Sequence, residues 1–142
     1  MGENKAGRGG VVFSNPEGIG APNGYSHVAE VPAGWKTVLV AGQLGCDAER
    51  KLAGGEGDFA AQAHQAFANV RRALRSAGAD FGDVVKMNVF LVDISGHMQA
   101  FREIRDEWLN ALPMPPASTT VGVAGLAVPG ALIEIDVVAA LP

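Results

Sequence analysis

The chain has 142 residues, of which 48% are apolar, 18% charged and 6% aromatic, and its formal net charge is −4 at pH 7. That length suits one domain, since domains most often run to about 100–150 residues, and it leaves no room for a cofactor domain beside a substrate domain. Apolar content is too high and net charge too low for a disordered chain, while charged residues fall short of the roughly 25% usual in soluble domains, so part of the surface is expected to meet a partner.

Residues 1–10 read as a flexible lead-in without the apolar core of a secretory signal, and residues 11–142 as a single domain. A short strand is possible over 11–14. Residues 14–24 carry Gly and Pro in quick succession and form a loop. Residues 25–31 are the next strand, cut off at Pro32-Ala33-Gly34. Residues 37–43 are an unbroken, β-branched apolar run and therefore a buried strand. A polar, Gly-rich stretch follows over 46–57. Asp58 is placed to cap a helix over 59–77 that ends at Gly78, with Phe59, Ala63, Phe67, Val70, Leu74 and Ala77 repeating at the helical period. Residues 84–93 are a third strong strand. Ser95 is expected to cap a helix over 97–112 whose inner stripe is Met98, Phe101, Ile104, Trp108 and Leu112, stopped by Pro113-Met114-Pro115-Pro116. Strands over 117–124 and 131–139 close the chain, joined by a loop with Pro129-Gly130. No internal repeat or long linker interrupts this order. The predicted class is α+β: a β-β-β-α-β-α-β-β domain with both helices on one face of a mixed sheet. The other face, rich in Val and Ala, is expected to meet another copy.

The acidic balance disfavours nucleic acid, which calls for a basic stripe. Arg71, Arg72 and Arg75 are the one basic cluster, and a solvated helix face is the simpler reading of them. No apolar run is long enough to span a membrane, and the chain reads as cytoplasmic. The single Cys46 excludes an internal disulfide and a Cys-rich zinc site, and nothing beside it in sequence activates a nucleophile. His27, His64 and His97 lack metal-ligand spacing, so no metal and no cofactor are expected. No phosphate-binding loop, dinucleotide fingerprint or nucleophile elbow is present. Glu134 and Asp136, two apart on a strand, share a face about 6.5–7 Å apart. Such a pair can hold one protonated acid beside one charged base, although from spacing alone a solvated strand face is the simpler reading. Lys86 and Asn88 likewise share a face of an otherwise apolar strand.

Several segments together resemble the Rid family of reactive-intermediate deaminases, also called YjgF-like or endoribonuclease L-PSP. They are Gly24-Tyr25-Ser26-His27, Val40-Ala41-Gly42-Gln43, the run from Asp83 through Phe90, Pro116-Ala117-Ser118, and the run from Ala131 through Ile135. The resemblance covers about residues 13–140. It implies a chorismate-mutase-like fold and a homotrimer with a barrel-like core, with a small-molecule site in each intersubunit cleft. It also implies cofactor-free hydrolysis of imines or enamines to carbonyl compounds and ammonia. By position, Tyr25 and Glu134 match the catalytic residues, and Gly42, Asn88 and Ser118 the substrate-binding ones. Ser118 is a departure: deaminase-type members carry there an Arg that grips the substrate carboxylate. A serine cannot replace that charge, and the inner stripe of the second helix gives no support for Arg102 or Arg105 doing so. The resemblance thus leaves open an Arg-less hydrolase of a less acidic or larger imine, a non-enzymatic metabolite-binding or partner-binding trimer, and, least favoured, a ribonuclease.

Overall fold

A computed structural model of the chain describes residues 3–6, by backbone alone, and 10–142. Four strands precede the first helix: β1 (Glu3–Ala6), β2 (Val12–Asn15), β3 (Val28–Glu30) and β4 (Lys36–Leu44). Helix α1 (Phe59–Ser76) leads through one 3₁₀ turn to β5 (Val84–Val92), then α2 (Ile94–Leu109), β6 (Ala117–Val123) and β7 (Ile133–Leu141). The stretch read as a lead-in thus includes β1, which pairs antiparallel with β2; residues 1–2 and 7–9 lie outside the described residues.

The helices form for local reasons. The Asp58 carboxylate accepts the Ala61 N–H at 3.0 Å and starts α1. At the other end the Ala79 N–H reaches Leu74 O and the Gly78 N–H reaches Arg75 O, with Gly78 at φ +80°, which is a Schellman stop. Helix α2 departs from expectation. It begins at Ile94, and its N-cap is Asp93 in the left-handed region (φ 51°), not Ser95. The Asp93 carbonyl accepts the Gly96 and His97 N–H groups at 3.1 Å, so the backbone closes the first turn three residues early. The helix also stops at Leu109, because Pro113 bars helical geometry just before it and the chain relaxes into a turn.

The main sheet has the order β4-β7-β5-β6, with β5 and β6 parallel and the other pairs antiparallel; β1-β2-β3 form a second, smaller sheet. Alternation along β7 and β5 sends Ile133, Ile135, Val137, Met87, Val89 and Leu91 toward the helices, where they meet Ala63, Phe67, Val70, Leu74, Phe101 and Ile104 in one core. A second cluster of Val11, Phe13, Val85, Met114 and Ala140, with Val138 packed on it, covers one end of the opposite face. The rest of that face is open, and Leu39 on it is 76% exposed.

Asp80 ties the end of α1 to the sheet. Its carboxylate accepts the Phe81 N–H at 2.8 Å and pairs with Arg71 and Arg75 at 3.2 and 3.1 Å. Two of the three clustered arginines are therefore already engaged by an acid. Partial burial works to raise the Asp80 pKa, but the Phe81 N–H and the two guanidinium groups outweigh it and hold the pKa below the usual carboxylate value. A depressed carboxylate contributes stability above its unfolded pKa, near 3.9, and loses it as pH falls through the folded value. Asp80→Asn keeps a capping side chain but removes the charge facing two partly exposed arginines, and is expected to lower stability by roughly 0.2–1 kcal/mol at pH 7. Urea unfolding should show that difference shrinking below about pH 4, where the wild-type carboxylate protonates as well.

Candidate active site

Tyr25 reaches its place through its neighbours. Ser26 is 1% exposed and forms a parallel bridge to Ala117. Its N–H donates to Pro116 O at 3.0 Å and its hydroxyl to Pro115 O at 2.6 Å. These bonds divide the strand expected over 25–31: its first residues attach to β6, and only Val28–Glu30 pair with β2. Tyr25 is thereby set beside Ser118, its ring edge-on to His27 at 5.3 Å between centroids. Gly24 takes φ +75°, and the space its Cβ would need is filled by the Arg105 guanidinium. A side chain there would push Arg105 aside, so glycine is required at this turn twice over.

Ser118 pairs in register with Met87 and so points to the helix side of the sheet. There the edge of β6 and the flank of α2 enclose a cleft of about 260 Å³, in which Tyr25, Ser118 and Thr120 face Met98, Arg102 and Arg105. The last three stand at i, i+4 and i+7, so the two arginines run along the edge of the inner stripe from Met98. Sequence reasoning set both arginines aside because it followed only the apolar stripe; their place along its edge was the available signal. Arg105 is 6% exposed; its Nε and Nη2 donate to Asp106 Oδ1 at 3.1 and 3.0 Å, and its Nη1 to Asn23 O at 3.3 Å. It braces the loop that carries Tyr25. A larger hollow of about 540 Å³ lies on the other side of Tyr25, lined mostly by the loop over 15–24, and it holds none of the other predicted site residues.

Gly42, Glu134 and Asn88 occupy the opposite face. The β4–β7 register shifts between Val40 and Gln43, leaving one extra residue on β4, a bulge at Ala41-Gly42. The Glu134 carboxylate lies over Gly42, where any Cβ would overlap Oε1. A glycine at a bulge is what admits that approach. Asn88 donates through Nδ2 to Asp136 Oδ1 at 2.9 Å, and Lys86 Nζ to Thr119 Oγ1 at 2.8 Å. Asp136 is thus held by an amide, and Glu134 has the backbone of Gly42 for its neighbour. Within one chain the structure brings Tyr25 to Ser118 and Gly42 to Glu134, and it puts the two pairs on opposite faces of the sheet.

Cys46 stands apart from both groups. Burial, then the charge of Asp47, pushes its thiol pKa up, the reverse of what a nucleophile needs. Among the described residues no three His, Cys, Asp or Glu side chains gather to hold a metal ion, and no helix is long and apolar enough to cross a membrane.

The order of strands and the two helices on one face define a Rid-type α+β protein. The chain belongs to the family described as Endoribonuclease L-PSP, whose model matches residues 17–141. A Rid-family protein of unknown function from Yersinia pestis, YyfB, is 35% identical with a TM-score of 0.81, over 89% of this chain and 96% of that one. The human 2-iminobutanoate/2-iminopropanoate deaminase is 34% identical over 130 residues, 90% of this chain and 88% of its own. Protein DfrA of Myxococcus xanthus is 34% identical over 125 residues, 87% of this chain and 88% of its own.

Proposed function

We propose that the protein is a cofactor-independent hydrolase of small imines or enamines, working as a homotrimer with its clefts between copies. The observation that carries this reading is the division of the site. One face offers a cleft with Tyr25 and Ser118, the other offers Glu134 over the Gly42 bulge, and an apolar surface including Leu39 lies open beside the second. Exposed apolar area on an open sheet face calls for a partner, and a second copy brings one half of the site against the other. The kinship with chains named as 2-iminobutanoate/2-iminopropanoate deaminases supports the reaction class.

The chemistry follows from the groups. Water adds to the carbon of C=N, giving a tetrahedral carbinolamine; a proton then moves to nitrogen, and ammonia leaves as the carbonyl forms. Glu134 is suited to take the proton from water and return it to nitrogen. Gly42 admits the Glu134 carboxylate close over its backbone, and Tyr25 and Ser118 supply hydrogen bonds to the developing charge. Asn88, oriented by Asp136, is the further polar contact.

The test is ammonia release from 2-imino acids made in place by an amino-acid oxidase, alongside light scattering. The expected results are release above the buffer rate and a mass three times the 14.6 kDa chain. A monomer, or release no faster than buffer, would overturn the reading. A trimer stabilised by ligands without any release would mark a binding protein instead.

A further inference from the structure

Gln62 is a polar side chain on the buried side of α1, in line with Phe59 and Ala66, and it is fully buried. Its amide is nonetheless paired. Nε2 donates to Gly55 O and Gly130 O at 3.3 and 3.2 Å, and Oε1 accepts the Leu132 N–H at 2.8 Å. An amide buried without partners is costly, so these bonds keep the side chain and both loops in one arrangement. Leu132 is gripped from its other side as well, since its carbonyl accepts the Val92 N–H at 3.0 Å. Glu134 follows two residues later.

The same helix fixes the opposing strand. Gly45, just past β4, lies so close to the α1 backbone at Gln62 that a Cβ there would overlap the Gln62 Cα, carbonyl carbon and oxygen. Two turns along the helix, Asn69 donates through Nδ2 to Leu44 O and Cys46 O at 3.1 and 2.8 Å, while its Oδ1 accepts from Gln65 Nε2 at 2.9 Å. Leu44 is the register partner of Glu134. The start of β7 and the end of β4 are thus both referred to α1, and the rung between them carries the carboxylate that lies over Gly42. No Cβ fits beneath that carboxylate, so a small slip of β7 against β4 moves it off the bulge.

We propose that α1 positions Glu134 through Gln62 and Asn69. Neither amide reaches the reacting atoms; together they set where the carboxylate stands. The inference rests on the hydrolase reading for its reaction and deepens it. A misplacement of about 1 Å at a reacting group can cost about 10²-fold in rate.

The experiment follows ammonia release from 2-imino acids in Gln62→Met, which keeps the length of the side chain and loses its donors and acceptor. The kcat is expected to fall about ten- to hundredfold, with KM within about twofold of wild type. Placed on Glu134→Gln, the same substitution should cost less than about twofold, because no base is left to position. A merely structural role would slow both backgrounds alike. Amide hydrogen exchange gives a readout independent of turnover: Leu132 to Glu134 and Leu44 to Cys46 should exchange at least about tenfold faster in Gln62→Met, with β5 unchanged. If Gln62→Met does not fold, Asn69→Ala, which leaves the buried stripe of α1 intact, should show the same fall in kcat and the same loss of effect on Glu134→Gln. Equal slowing in both backgrounds, or a folded variant with the wild-type kcat, would overturn the positioning role and leave the hydrolase. A wild type that releases no ammonia would remove the hydrolase instead. Exchange then decides the placement: faster at both strand ends keeps α1 as what sets the Glu134 contact, and unchanged exchange removes it.

Discussion

Glu134→Gln is expected to slow ammonia release by about 10²–10⁴-fold, the usual loss when a positioned general base is removed. The amide keeps the size of the side chain, so the fit over Gly42 and the β4–β7 pairing survive. What is lost is the proton acceptor. The fall should appear in kcat with little change in KM, because the amide still fills the same place. Glu134→Ala, by contrast, empties the space above Gly42 and is expected to disturb binding as well. The divided site sharpens the test. If Glu134 of one copy works with Tyr25 of its neighbour, trimers reassembled from Glu134→Gln and Tyr25→Phe chains regain activity, up to about a quarter of wild type, the share of interfaces that random mixing leaves intact. Absence of recovery would show that both groups act from the same subunit. A Glu134→Gln rate within threefold of wild type would show that proton transfer goes by another route.

Phe67→Ala is expected to be the most destabilising simple truncation, by about 3–5 kcal/mol. Its ring is fully buried and stacks on Trp108 and Phe101, with centroids at 5.7 and 6.3 Å, and meets Phe81 edge-on at 6.1 Å. It is therefore the hub joining α1, α2 and the 3₁₀ turn, and removing it leaves a cavity that three large rings cannot jointly fill. Domains are stable by only about 5–15 kcal/mol, so a loss of this size takes a large part of the total. Urea unfolding at fixed protein concentration measures it through a lowered midpoint at unchanged slope. The partial refill is Phe67→Leu, which restores much of the volume without the ring and should recover more than half of the loss. A shift below about 1 kcal/mol for the alanine would mean that the surrounding core collapses into the gap.

The elements legible in the sequence are those whose local signals agreed with their burial. Strand β5 alternates buried and half-buried residues from Val85 to Val92, and α1 has its cap, its apolar stripe and its glycine stop in the expected places. The errors fall where a contact distant in sequence decides. The 25–31 strand looked continuous, but Ser26 is captured by Pro115 and Pro116, 89 residues or more away. The start of α2 is the local exception: Ser95 has the residue type of a cap, yet a left-handed Asp93 closes the turn earlier through its own backbone. Gln62, a polar residue on the helix stripe, is fully buried because it holds two loops at once: its Nε2 donates to Gly55 O and Gly130 O at 3.3 and 3.2 Å, and its Oε1 accepts the Leu132 N–H at 2.8 Å.

The sequence by itself determined a single α+β domain, its strand and helix order, and the neighbourhood of Tyr25, Gly42, Ser118 and Glu134 in a Rid-type chain. Periodicity and caps carry that information locally, because a residue's side of a strand or helix follows from its place in the repeat. Only the tertiary structure decided that those four residues divide into two pairs on opposite faces. It also decided that Arg102 and Arg105 stand over Ser118, with one guanidinium compensated and the other not. Charge compensation depends on which side chains meet across the packed α2–β6 edge, and a count of charges along the chain holds no record of that.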